Sequence, residues 1–343
     1  MSHRAFFVGL GFASAIAAGC AEGTELPSTS STGSISSSSS SGTGGSGGIG
    51  EEEMIPEPDG PSKLTIVNGV NDYDAIRLCF VPWPNGGDTP AFPADSKGLA
   101  FAAPSVLDLA SGVVPKGTDV FLHVIAGNLG KTNGQGCAAI TGGALDPDVL
   151  VVPLAVIPAS AFEAPRSLLL VPHGCLGGPD HDDPKKEQVC GKGYTIDTPT
   201  PGLLAAGMSR IVEPDVLSLQ AAHAVVAMQK IDIRILSGAQ GGPEGNIAPA
   251  LTLGAVGKIP PFREFAKADL GPIGATNILT VPTGNSNPTS TILLQEGLSR
   301  GGIPEAELKN GQSYTLVAVG SPPGVMAGGF WHALTWTVVR ADP

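Results

Sequence analysis

The chain has 343 residues, a net charge of −12 and a sequence pI near 4.8. Its 19 Lys and Arg are too few to neutralise phosphates, which excludes nucleic acid as a partner, and the same charge repels an anionic membrane surface. Gly 48, Pro 31 and apolar runs rich in Val, Ile, Leu and Thr predict an all-β chain with many turns and room for two domains, and a hydrophobic content of 42% can fill their cores.

Residues 1–4 are a short basic start, and 5–18 form an apolar run too short to span a bilayer comfortably. Small residues and a cysteine follow, Ala17-Ala18-Gly19-Cys20. Residues 1–19 therefore read as a secretory signal peptide. The ending resembles a bacterial lipobox, in which the cysteine becomes the lipidated first residue of the mature chain. The Leu usual three residues before that cysteine is Ala17 here, and ordinary cleavage at Ala15-Ile16-Ala17 would instead leave a soluble secreted protein. Cys20 is the predicted lipidation site, and two or more acyl chains on one residue anchor a protein stably. Residues 20–62 comprise that cysteine and a linker, with a Ser run at 36–41, a Gly-rich stretch to Gly50, and Glu51, Glu52 and Glu53 near its Pro-rich end. Such composition cannot bury enough apolar surface to offset its ordering entropy, which predicts a disordered tether with a mean reach of roughly 35 Å.

The remainder reads as two copies. Residues 157–178 and 303–324 align without a gap at an offset of 146, and Ile157/Ile303, Pro158/Pro304, Ser167/Ser313, Leu170/Leu316, Val171/Val317, Gly174/Gly320 and Gly178/Gly324 are identical. Residues 64–80 and 219–235 align at an offset of 155, with Leu64/Leu219, Val70/Val225 and Ile76/Ile231 identical. The two offsets imply copies that keep their framing strands and differ in loop length. In the first copy, 63–214, strands are predicted at 63–70, 75–81, 99–103, 105–109, 119–126, 149–156 and 167–172, with one helical turn at 159–163. Ile76, Leu78 and Phe80 take one face of the second strand, Arg77 and Cys79 the other. In the second copy, 215–343, further strands are predicted at 251–256, 277–281, 291–295, 314–319 and 334–340, and a helix at 262–269 opened by Pro261. A fragment covering 215–343 is expected to fold alone.

The densest polar chemistry lies in an insertion at the end of the first copy: His173, Cys175, Asp180, His181, Asp182, Asp183 and Cys190. Thiolate, imidazole and carboxylate all ligate zinc, but the spacing fits no usual zinc pattern, and the aspartates lack the Gly and distal Glu of a calcium loop. The secretory leader places the chain in an oxidising compartment, and the four cysteines after Cys20 are even in number. Four cysteines allow three pairings; nearness in sequence favours Cys175–Cys190 and leaves Cys79–Cys137. No metal site and no cofactor are predicted; His173, Asp180, His181, Asp182 and Asp183 are the residues a metal-binding rival would use. Asp72 and Asp74 sit at a strand-to-strand turn, where Asx-type bonding to the backbone accounts for them. His223 and His332 read as packed or surface residues rather than ligands. Trp83, between two prolines, reads either as an exposed contact residue or as a plug for the end of a sandwich. The chain carries no Gly-x-Ser-x-Gly elbow, no His-Glu-x-x-His helix and no phosphate loop, so no catalytic residue is assigned.

Tyr314-Thr315-Leu316-Val317-Ala318-Val319-Gly320, with His223, Ala224 and Asp232 in the second copy and Val67, Asp72 and Ala75 in the first, resembles the bacterial extracellular repeats of the domain-of-unknown-function 4397 family. Neither copy carries that family's full opening turn, and the first closes on Leu170-Val171-Pro172-His173-Gly174 instead. The resemblance implies small β-sandwiches on secreted or lipid-anchored proteins and carries over no catalytic residue. The expected protein is thus all-β, with two tandem Ig-like β-sandwich domains after a signal peptide and disordered linker. It is exported, anchored through its N-terminal lipid at the outer membrane or cell surface, and non-catalytic, binding a surface protein or glycan or spacing other components. The rival reading is a metal-binding envelope protein that uses the insertion from His173 to Cys190.

Overall fold

The computed structural model describes Gly60 and residues 63–343 apart from 144–145, 164–166, 180, 241, 243, 258–262, 323–324, 326–330 and 342–343. The leader, Cys20, nearly all of the linker and Asp180 lie outside the described residues. What is described is mostly β, in four sheets.

The first half contributes β1 (Lys63–Val67), β2 (Gly69–Val70), β3 (Ala75–Trp83), β4 (Leu99–Ala100), β5 (Pro104–Asp108), β6 (Asp119–Gly127), β7 (Val149–Ile157), β8 (Ser167–Gly174) and β9 (Gly202–Met208). Two short helices join them, α1 (Cys137–Gly142) and α2 (Lys186–Cys190). One sheet runs β2-β8-β1-β5 with β9 on the far side of β8; the other runs β4-β3-β6-β7. The second half contributes β10 (Leu217–His223), β11 (Lys230–Leu236), β12 (Glu244–Thr252), β13 (Arg263–Phe265), β14 (Asn277–Pro282), β15 (Ser290–Leu293), α3 (Leu294–Arg300), β16 (Ser313–Val319) and β17 (Thr335–Arg340). Its sheets run β13-β10-β16-β17 and β12-β11-β14-β15.

The strand orders superimpose: β9-β8-β1-β5 answers to β17-β16-β10-β13, and β4-β3-β6-β7 to β12-β11-β14-β15. Even the register repeats. In each half the first strand lies parallel to the strand that closes the copy, with Leu64 opposite Leu168 and Leu219 opposite Tyr314, pairs related by the two sequence offsets of 155 and 146. A parallel pair cannot be joined by a tight turn, so the intervening strands form the crossover.

Each half has its own core. Leu64, Ile66, Ile76, Leu78, Phe80, Leu122, Val124, Leu168 and Leu170 lead the first; Leu219, Ile231, Ile233, Ile235, Ile278, Tyr314, Leu316 and Trp336 lead the second. A third apolar cluster joins the halves, in which Val67, Leu169, Val171, Leu204 and Met208 meet Ala222, Ala224, Val317, Val319 and Val339. The sheets that contain β8 and β16 are therefore covered on both faces. That explains why β8, β10 and β16 are buried at every position and why the sequences of β8 and β16 read as long apolar runs, while β10 buries Ser218, Gln220 and His223 among its apolar residues. Gly69 sits in this seam, where a Cβ would stand 2.9 Å from Val319 Cγ1. Polar contacts cross the seam or line it: Asn71 Nδ2–H donates to Ser321 Oγ at 2.8 Å, and Gln220 Nε2–H donates to Ser209 O at 2.7 Å and to Ser313 Oγ at 2.9 Å. All described residues fall within a single compact unit.

Several local expectations change, among them the strand expected at 251–256, of which only 251–252 are strand, the end of β12, before a turn at 253–254. The helix expected at 262–269 is instead the edge strand β13 followed by a 3-10 turn, Lys267–Leu270, because Arg263, Glu264 and Phe265 pair with β10. The strand expected at 291–295 ends at Leu293 and gives way to α3, which packs Leu294 and Leu298 into the second core. The stretch after the insertion supplies β9, whose Leu204 and Met208 belong to the seam.

Candidate functional site

The insertion forms a folded lobe against the seam. Cys175 and Cys190 are brought together with Cα atoms 5.4 Å apart, and Cys79 and Cys137 likewise at 5.4 Å; both pairs are at disulfide distance. The first pair is buried with Val189, Tyr194 and, from the second half, Trp331. Its anchor is Asp72. The carboxylate, fully withdrawn from solvent, accepts from Leu176 N–H at 3.0 Å and Gly177 N–H at 2.9 Å, and lies 3.2 Å from His181 Nδ1. Bonding within its own turn was expected of Asp72; its partners lie 104 residues or more away. Tyr73 O–H donates to Gly177 O at 2.7 Å, and its ring packs on His181 with centroids 4.5 Å apart. Burial, reinforced by the Asp72 charge, pushes the Tyr73 phenol up to about 12, and burial raises Tyr194 as well. Both phenols are thus neutral donors rather than bases.

The five residues of the metal-binding rival are dispersed wherever they are described. His173 is carried on β8 toward the seam and is fully buried; burial first, and His223 second, pull its imidazole down to about 4. His181 is held on Asp72, Asp182 pairs with Lys186 at 2.5 Å, and Asp183 Oδ1 accepts from Lys185 N–H at 2.7 Å. Asp180 lies outside the described residues. Among the described residues no three His, Cys, Asp or Glu side chains gather as a metal centre.

His223 and His332 also belong to the packing between the halves. His223 Nε2–H donates to Met228 O at 2.6 Å while Nδ1 accepts from Val225 N–H at 3.3 Å, a pattern that needs the neutral ring. Burial pulls it down to about 4. His332 stacks on Phe101 with centroids 4.0 Å apart and planes 10° apart, and lies 3.4 Å from Asp74. A concavity of about 330 Å³ beside α3 is lined by Gln295, Ser299 and Glu305 among others and holds no imidazole or thiol.

A different surface stands out on the outer side of β4-β3-β6-β7. One end is capped. Cys79 is tied to Cys137, and α1 packs Cys137 and Ile140 over Ile125 and Val149. Beneath, Arg77 donates to Thr132 Oγ1, Asp95 O and Asn133 Oδ1 at 2.5, 2.8 and 3.0 Å, which holds the capping loop. The other end is bare. Val81, Phe121 and Val156 are cross-strand partners and therefore share one face, and His123 pairs with Pro153 in the adjacent row. Trp83 stands beside them, 44% exposed and edge-on to Phe121 at 5.3 Å. Of the two roles open to Trp83 in the sequence, the structure places it as an exposed residue on a sheet face. Phe121 and His123 escaped the sequence reading. Their alternation with buried Val120, Leu122 and Val124 marked them as outward-facing, but the row with Val81 and Val156 depends on a register no single strand reveals.

In comparisons with known proteins, no family model and no curated protein matches the chain.

Proposed function

We propose that the chain is a non-catalytic, exported protein of the cell envelope or surface, anchored by lipid on Cys20 and carrying two tandem Ig-like β-sandwich domains, 63–214 and 215–343, on a disordered linker. Its role is to bind or space other components, with no cofactor. The observation that carries the non-catalytic part is the engagement of Asp72: a buried carboxylate beside an imidazole suits a general base, yet this one holds the backbone of Leu176 and Gly177. His223 is similarly engaged by Met228 and Val225. The repeated strand order and the parallel pairing of first and closing strands support the tandem-sandwich reading. The resemblance to bacterial extracellular repeats supports the location.

Partitioning between detergent and aqueous phases tests the anchor. The native chain is expected in the detergent phase and Cys20→Ser in the aqueous phase. Equal partitioning of the two would overturn the anchor.

A further inference from the structure

We propose that the bare end of the β3–β6–β7 face is a binding platform for an uncharged glycan, with exposed Trp83 as its stacking residue and Phe121 set edge-on beside it. The proposal rests on the binding reading above and names the ligand class. Trp83 lies edge-on to Phe121 with planes 74° apart, and His123 packs on Phe121 at 4.4 Å. Val156, 36% exposed, and exposed Pro153 extend the surface across β7. The other two tryptophans, Trp331 and Trp336, are buried at 4% and 0% exposure.

The fold does not require an aromatic residue at this end of the face. At the positions of Val81 and Trp83 the second half carries Leu236, 39% exposed, and Gly238, and at that of Cys79 it carries Arg234, 3.6 Å from Asp232 and 3.7 Å from Glu244. An exposed tryptophan on one copy and a glycine at the same place on the other point to a contact made by the first alone.

Size and charge select the occupant. Val81, Trp83, Phe121, His123, Pro153 and Val156 fall far below the roughly 20–30 residues a side of a stable protein interface. They match a few sugar rings laid on a flat sheet. A pyranose presents C–H groups on its faces, which suit the negative face of an aromatic ring, and hydroxyls at its rim. The row contains no Lys or Arg, and burial holds His123 below the ordinary histidine value, so it is neutral at pH 7. Asp119, paired across the ladder with Trp83, borders the row; its Oδ1 accepts from Ala159 N–H at 3.0 Å, and its negative charge repels an anionic polymer.

Native affinity electrophoresis of the full chain tests this, through gels containing dextran, mixed-linkage β-glucan, galactomannan or starch, with polygalacturonate as the charged comparison. At least one neutral polysaccharide is expected to retard the chain, and polygalacturonate not to. Trp83→Ala should weaken the retardation about tenfold or more. Val156→Arg, at an exposed position, should weaken it too and decides the matter if Trp83→Ala fails to fold. Leu236→Ala, on the equivalent face of the second half, should change nothing. No retardation by any neutral polymer, equal retardation by polygalacturonate, or wild-type migration of both face variants would overturn the platform. If the chain still partitions into detergent in that event, the anchored-module reading stands without it. Reducing sugar released from a retarding polymer would overturn the non-catalytic reading and leave the platform in place.

Discussion

The two outer faces built on β3 and β11 show which parts of a repeated sheet are held alike and which are free to diverge. Inward, Ile76, Leu78 and Phe80 correspond to Ile231, Ile233 and Ile235, and all six are fully buried. Volume and apolarity are fixed there by the opposing sheet, since interiors are close-packed and an unpartnered polar group inside is costly. Outward, Cys79, Val81 and Trp83 correspond to Arg234, Leu236 and Gly238: the aliphatic pair Val81/Leu236 is kept, Cys79 and Trp83 are not, and Gly238 lies past the end of β11. The pairing with Cys137 accounts for Cys79 where the second half has Arg234, but neither packing nor pairing calls for an exposed tryptophan at the end of β3. The difference belongs to what each surface meets.

Introducing one charge into two faces of the same protein sharpens this contrast most. Val317 lies in the seam and is fully buried, while Val156 lies on the bare outer face. Val317→Asp should cost more than about 3 kcal/mol or prevent folding, because the carboxylate has no partner there, whereas Val156→Asp should stay within about 0.5 kcal/mol. Urea unfolding measures both; similar midpoints for the two variants would mean that the seam is not closed in solution. The same logic bears on a fragment covering 215–343. Expected from the sequence to fold alone, it would expose Ala222, Val317, Val319 and Val339, which the first half covers.

The halves also differ in cross-links, since every cysteine lies at or before residue 190. Sequence separations of 58 and 15 give losses of about 4 kcal/mol for Cys79→Ser with Cys137→Ser and about 3 kcal/mol for Cys175→Ser with Cys190→Ser, in the chain-entropy model. The second double variant should in addition shift tryptophan emission, because Trp331 packs on that pair. Four titratable thiols in the unreduced protein would contradict both expectations.

Acid provides the mildest probe of the seam. His173 and His223 stand at about 4 in the folded chain, against an ordinary value of 6.5. The unfolded chain therefore takes up protons first as pH falls. Stability is full above about pH 6.5, declines down to about pH 4 and levels off below, by up to about 3 kcal/mol per imidazole. Urea midpoints should fall between pH 7.5 and pH 4.5, and His173→Leu should flatten that fall. A midpoint unmoved over this range would show the rings to be solvated.

Much of the strand framework was legible because it is local. Alternation in 75–81 and the apolar runs of 167–172 and 314–319 follow from one or two buried faces, and the paired offsets anticipate the matching registers. What was hidden depends on distant partners. Leu294 reads as the end of a strand until α3 is seen turning into the second core. Edge pairing with β10 overrides helix preference in 263–265. His173 and His181 are close in sequence, yet β8 takes one to the seam while the turns at Gly177 and Gly178, both at positive φ, bring the other to Asp72.

One consequence of the parallel pairing concerns mechanics. Lys63 is the first residue of β1, which is bonded to β8 on one side and to β5 on the other. A pull along that strand loads both ladders at once and in shear. At a free edge, by contrast, bonds would open singly and in sequence. Tension applied at Lys63 thus meets the sheet in its interior, where it is hardest to unzip.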